Sequence, residues 1–243
     1  VRIDSNGTEQ WSRVYGGDEN EDALHAVIGN SGGFLVAGYQ EFDEEKDYWI
    51  FSVDDAGNLI REVSPQPIRD TDDDLANFLV NVPGEGYLCV CTYDDETHDG
   101  SNVFILSINN DLSTPYNLSL GTDEDDEGQC IIRIEELPLY VLGNSIGSSG
   151  RTEINLYRVE MDGLRFETPS SAQPVATIRS GNEDLIAERF VFAGENRLAI
   201  IGSSTSDISN KEYNILLQFV DQELESERFD FGETGDQRGF SII

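Results

Sequence analysis

Residues 34–63 carry the pattern on which the fold reading turns. They run Phe34-Leu-Val-Ala-Gly38, Tyr48-Trp-Ile-Phe-Ser-Val53, the turn Asp54-Asp-Ala-Gly57, then Leu59-Ile-Arg-Glu-Val63. Aliphatic and aromatic residues fill each short run and polar residues bound it, which reads as strands joined by turns. Asp/Asn-Gly tetrads favour tight hairpins because glycine takes positive φ without steric cost. The pattern returns along the chain. The first run reappears as Tyr87-Leu-Cys-Val-Cys91, Leu139-Tyr-Val-Leu-Gly143 and Leu198-Ala-Ile-Ile-Gly202. The second reappears as Val103-Phe-Ile-Leu-Ser-Ile108, Ile154-Asn-Leu-Tyr-Arg-Val159 and Ile215-Leu-Leu-Gln-Phe-Val220. Further turns fall at Asp4-Ser-Asn-Gly7, Asn109-Asn-Asp111 and Asp162-Gly163. An acidic residue opens an apolar run at Asp22, Asp74, Glu127, Asp184 and Asp236, at spacings of 52, 53, 57 and 52.

Four strands in roughly fifty residues is the spacing of a β-propeller blade. The expected fold is therefore all-β: a single-domain β-propeller of about five four-stranded blades, with an arc of a larger propeller as the alternative. The repeats fall at approximately 18–67, 68–119, 120–173 and 174–230, with part blades at 1–17 and 231–243. The chain opens on a third-strand run, Val1-Arg-Ile-Asp4, and closes on a first-strand run over 236–243. Joined, these give a further blade that lacks its second strand. No sustained i, i+3, i+4, i+7 apolar stripe occurs, so helix content should be minimal.

The first repeat also resembles a known family. Trp11-Ser-Arg-Val-Tyr-Gly-Gly17, Asp22, Gly32-Gly-Phe34 through Gly38, Asp47-Tyr-Trp49 and Asp54-Asp-Ala-Gly-Asn58 resemble the propeller repeat of secreted bacterial and haloarchaeal proteins. That repeat reads approximately W-x-x-x-Y-G-G, D-x-x-x-x-V, G-G-F/Y-x-x-x-G, D-x-W-x-x-x-x-D-x-x-G-N. The resemblance covers residues 2–60 and is faint beyond, where the tryptophans and the Tyr-Gly-Gly turn are lost. It implies an exported, often surface-attached propeller, and it carries over no catalytic residues.

Charge narrows the habitat. Acidic residues number 48 against 15 basic ones, a net charge of -33, and lysine occurs only at Lys46 and Lys211. Self-repulsion of this size destabilises a compact state in dilute buffer. In molar salt the Debye length falls to about 3 Å and the repulsion largely vanishes, so the composition points to a salt-loving organism. Such a surface argues against nucleic acid and anionic membranes as partners and attracts hydrated cations. No apolar run is long enough to span a membrane. No signal segment is read at Val1, which begins inside a strand-like run. The extracellular or cell-surface location expected from the resemblance agrees with the sequons Asn6-Gly-Thr8 and Asn117-Leu-Ser119. Cys89, Cys91 and Cys130 read as small buried apolar residues, since an odd count is not a disulfide framework.

Little in the chain suggests catalysis. Gly143-Asn-Ser-Ile-Gly147 fits a nucleophile elbow, but a loop rather than a helix should follow it. Gly29-Asn-Ser-Gly-Gly33 matches the serine region of some proteases, yet it sits at an expected hairpin. Both are read as turns, and His25 and His98, the only histidines, are not placed as a base. Asp123, Asp125 and Glu127 alternate before Gly128 like half a calcium loop, but the distal ligand position is Ile134. A solvated acidic loop is the simpler reading of that trio. Asp22, Asp74, Glu127, Asp184 and Asp236 could ring a channel mouth; the simpler reading is that each accepts backbone N–H groups at the start of its blade. Trp11, Trp49, Tyr15, Tyr39 and Tyr48 are expected to pack between blades rather than form a glycan platform. The function expected is a non-enzymatic structural or interaction module without a cofactor, binding an unidentified protein or glycan. The alternatives are a propeller enzyme (quinone-dependent dehydrogenase or glycan-active), a cation-binding propeller, and a subunit of a larger adhesin or surface filament.

Overall fold

Alternation of side chains across extended backbone puts successive residues on opposite faces, and here both faces are apolar. Ile50 points to one side of its strand while Trp49, Phe51 and Val53 point to the other, and all four are buried. Sheets with two greasy faces must stack on both sides. The computed structural model describes residues 1–42, 45–63, 73–94, 100–122, 124–133, 138–169, 172–194, 197–205, 213–220 and 226–231.

A short hairpin, β1 (Arg2–Ile3) and β2 (Glu9–Trp11), comes first. The first four-stranded sheet is β3 (Glu21–Ile28), β4 (Phe34–Phe42), β5 (Glu45–Val53) and β6 (Leu59–Val63). The second is β7 (Leu75–Val82), β8 (Gly86–Asp94), β9 (Ser101–Asn109) and β10 (Tyr116–Leu120). The third begins with β11 (Asp126–Ile132), β12 (Leu139–Ile146) and β13 (Thr152–Val159). A separate hairpin, β14 (Met161–Asp162) and β15 (Arg165–Phe166), then precedes its last strand, β16 (Ala176–Ile178). The fourth sheet is β17 (Asp184–Phe192), β18 (Leu198–Thr205), β19 (Asn214–Val220) and β20 (Ser226–Phe231). Every sheet is antiparallel with its strands in chain order, and no helix occurs among the described residues. Four such sheets stacked in sequence are consistent with a propeller-like arrangement.

The third repeat departs from expectation. The turn Asp162-Gly163 does not lead into the fourth strand; it closes the extra hairpin, and β16, beyond the expected boundary at residue 173, pairs with β13 instead. The physical reason is burial. Leu164 of that hairpin enters the core between the second and third sheets, with Met161 and Phe166 packed against it.

Three clusters fill the spaces between consecutive sheets. Leu35, Ala37 and Ile50 meet Leu79, Cys89 and Cys91 between the first and second. Val90, Val103 and Ile105 meet Ile131, Val141 and Tyr157 between the second and third. Leu142, Ile154 and Leu156 meet Leu185, Phe190 and Ile200 between the third and fourth. Part of the first sheet's other face is covered by Trp11 and Tyr15. Trp11 packs edge-on to Phe34 and donates to Asp55 O at 2.8 Å, and Tyr15 packs on Phe51. All three cysteines are buried and free.

The pairing of first with second strand carries a bulge at one recurring place. It lies between Ala23 and His25, Ala76 and Phe78, Gly128 and Cys130, and Ala187 and Arg189. Gly38, Cys91, Gly143 and Gly202 stand opposite the residue before each bulge. A Cβ on Gly38 would collide with the Asp22 carbonyl, and one on Gly202 with that of Ile186. The bulged backbone thus explains why the second-strand run ends in a small residue. Gly143-Asn-Ser-Ile-Gly147 is accordingly not a turn. Asn144 and Ser145 lie buried within β12, and the loop begins only at Gly147.

Candidate functional site

A bulge adds one residue without a ladder partner, so it turns the next side chain and leaves backbone groups to be satisfied elsewhere. Asparagines of the preceding sheet do this. Asn144 Nδ2 donates to Ala187 O at 3.0 Å while its Oδ1 accepts from Ala187 N at 2.8 Å. Asn77 Nδ2 likewise donates to Gly128 O at 2.6 Å.

The residues just after the bulges converge. His25 of β3 stacks on Phe78 of β7 with ring centroids 3.7 Å apart, and the guanidinium of Arg189 of β17 lies 5.1 Å from the same ring. Leu79 N donates to His25 Nδ1 at 3.2 Å. Burial, together with the nearby charge of Arg189, lowers the His25 pKa from 6.5 to about 4. Cys130, the corresponding residue of β11, is buried in the core against which Phe78 packs. First strands of the first, second and fourth sheets therefore meet at one junction, filled by an imidazole, a phenyl ring and a guanidinium.

A second recurring feature is a carboxylate three residues before the small pre-bulge residue. Asp73, Asp125 and Asp184 hold that place, and each accepts a backbone N–H at the start of the preceding sheet's third strand. The donors are Lys46 N at 3.1 Å, Ser101 N at 3.4 Å and Thr152 N at 2.8 Å. Lys46 Nζ adds an ion pair to Asp73 at 2.7 Å and Arg151 one to Asp184 at 2.6 Å. These acids clip each sheet to the one before it.

The five acids picked out by spacing are placed differently. Asp22 and Glu127 stand one residue before the small residue and are exposed; Asp74 stands two before and Asp184 three before, both buried. Asp236 lies outside the described residues. Their spacing therefore does not mark equivalent points. In so acidic a chain almost any alignment finds a carboxylate, whereas the backbone bulge fixes the register. Beside Glu127, Asp126 is fully buried, and its Oδ2 accepts Thr122 N at 2.6 Å. In the first sheet Glu21, at the matching position, accepts Gly17 N at 2.7 Å.

Of the calcium-like trio, Asp123 lies outside the described residues, Asp125 is engaged by Ser101 N, and Glu127 accepts Gln129 Nε2 at 3.2 Å. Among the described residues no group of three His, Cys, Asp or Glu side chains is placed to hold a metal ion. Trp49 is buried against Phe51 at 4.2 Å, and Tyr48 packs into the core between the first two sheets. Tyr39 lies under the Lys46 ammonium, 5.4 Å from it. Gly29–Gly33 is a hairpin turn closed by Gly29 N to Gly33 O at 3.0 Å. No helix of the described residues is long and apolar enough to cross a membrane.

A scan against protein-family models and a search of curated proteins return no match to this chain. The functional reading rests on its own residues. Spacing alone missed the post-bulge junction and Asp73, and named Asp125 and Asp184 without the register that groups them; the small residues Ala23, Ala76, Gly128 and Ala187 were the signal that could have found both.

Proposed function

We propose that the chain is an exported β-propeller module of a salt-loving organism, of about five blades, that serves as a structural or interaction unit at the cell surface and has no catalytic activity. The observation that carries this reading is the His25–Phe78–Arg189 junction. Side chains from the first, second and fourth sheets meet if the sheets turn about a common line with their first strands innermost. The junction is packed with side chains, which leaves the loop-bearing surfaces as the places for a protein or glycan partner. The acidic surface supports the salt-loving habitat, and the reading invokes no cofactor.

One observation bears on closure. Ile28 at the end of β3 and Ile3 of the short hairpin are 72% and 61% exposed, apolar side chains that a further element would cover. An arc within a larger adhesin or surface filament is the alternative that the same side chains favour. The test is location and turnover. Antibody labelling of intact, unpermeabilised cells in molar salt should be positive, and the protein supplied with a quinone cofactor, sugars and an electron-accepting dye should show no turnover. Labelling that needs permeabilised cells, or dye reduction above the protein-free rate, would overturn the proposal.

A further inference from the structure

Where a repeat breaks its own pattern, the added residues can serve more than the fold they help to pack. The third and fourth strands are joined through 54–58, 110–115 and 221–225 in the other sheets, but through 160–175 in the third. That insertion contains the β14–β15 hairpin, anchored by Leu164 in the core and by Arg133, which donates to Gly163 O at 2.9 Å. Between the hairpin and the second sheet lies a cleft of 770 Å³, within the range of small-molecule sites. Its apolar lining includes the buried Leu139 and the half-buried Met161, and its charged lining is Arg133, Arg158, Glu85 and Glu160. Arg158 and Glu160 are paired at 2.7 Å and both are exposed. A Cβ at Gly163 would come within 3.0 Å of the Glu85 carboxylate, which places that acid beside the hairpin.

Two guanidiniums in one cleft stand out in a chain with 15 basic residues. The lining is nevertheless charge-balanced. A simple anion drawn to the arginines meets two carboxylates, and a simple cation meets the reverse. At molar salt long-range attraction is screened within about 3 Å, so only contact pairs and apolar burial distinguish ligands. A guanidinium binds a carboxylate through parallel hydrogen bonds, and a carboxylate takes an ammonium.

We propose that this cleft binds a small zwitterion with an apolar body, an amino-acid-like molecule. Its carboxylate lies on Arg133 and Arg158, its ammonium on Glu85 and Glu160, and its side chain against Leu139 and Met161. The probe is L-leucine, titrated calorimetrically into the full chain in molar salt beside 4-methylpentanoate, which lacks the ammonium, and 3-methylbutylamine, which lacks the carboxylate. Leucine should bind saturably and each analogue at least about tenfold more weakly, the scale of one charge-assisted contact. Arg158→Gln should weaken leucine by a similar factor, while Arg197→Gln, on the exposed pair with Glu227, should not. Should Arg158→Gln melt below the wild type, Glu160→Gln, which leaves the Arg133 anchor intact, takes its place. No saturable leucine binding, equal binding of either analogue, or an unaltered affinity in the cleft variant would each overturn the proposal.

Discussion

Asp184 shows how much one carboxylate does in a protein that has dozens. Its side chain is buried, holds Arg151 at 2.6 Å and accepts Thr152 N at 2.8 Å. Asp184→Ala would strand a guanidinium and a backbone N–H together, so a loss of about 2–3 kcal/mol is expected from denaturant melts in molar salt. The exposed acids Asp4 and Asp54 work differently. Each accepts two backbone N–H groups of its own turn, which holds its carboxyl below the usual range. His25 gives a pH signature. Above about pH 6.5 it is neutral in both folded and unfolded chains. Below that the unfolded chain takes up a proton that the stack refuses until about pH 4, so stability falls as pH falls through this window. His25→Phe keeps a ring on Phe78 but loses the acceptor for Leu79 N. It should therefore be less stable at neutral pH, yet lose less on acidification than the wild type when denaturant midpoints at about pH 7 and pH 4.5 are compared. An identical acid loss in both would refute the assignment.

At the level of elements, the bulge between first and second strands organises the molecule. It demands a glycine opposite at Gly38 and Gly202, frees backbone groups for Asn77 and Asn144, and aims His25, Phe78 and Arg189 at one another. Gly202→Ala forces a Cβ into the Ile186 carbonyl and should cost more than about 2 kcal/mol. Gly181→Ala, which meets open space at an ordinary φ, should stay within about 0.5 kcal/mol of wild type; similar melting of the two variants would refute the bulge argument. The strands themselves were legible, because runs such as 48–53 and 103–108 are continuous blocks of strand-favouring residues between turn residues. The bulge was not, because the one-residue slip it puts into the alternation is hidden where both faces of a strand are apolar. Nor was the β14–β15 hairpin, since Asp162-Gly163 is an ordinary turn signal wherever it occurs. Which strand follows a turn is settled by what Leu164 can bury.

For the whole molecule the governing quantity is a net charge of -33. At about 0.1 M salt the Debye length is about 10 Å, so carboxylates on neighbouring loops repel one another; at about 1 M it is about 3 Å and they do not. Dialysis from molar salt into dilute buffer should unfold the protein, seen as loss of the β-sheet circular dichroism signal. A melting temperature that is the same at both salt levels would overturn this account. Most described cations are already committed internally, as in Arg2 to Asp55 and Arg228 to Glu183 and Asp230. The repulsion among the remaining acids is therefore for the solvent ions to relieve.

Composition and periodicity by themselves determined the class of fold, the repeat length and the strongly acidic charge, because those follow from sums and short-range order along the chain. Only the tertiary structure decided which acids clip one sheet to another, which side chains meet at the junction of the first strands, and where a repeat opens a cleft. Those facts depend on a one-residue shift in strand register, and register is fixed by backbone pairing and burial between sheets rather than by any local run of residues.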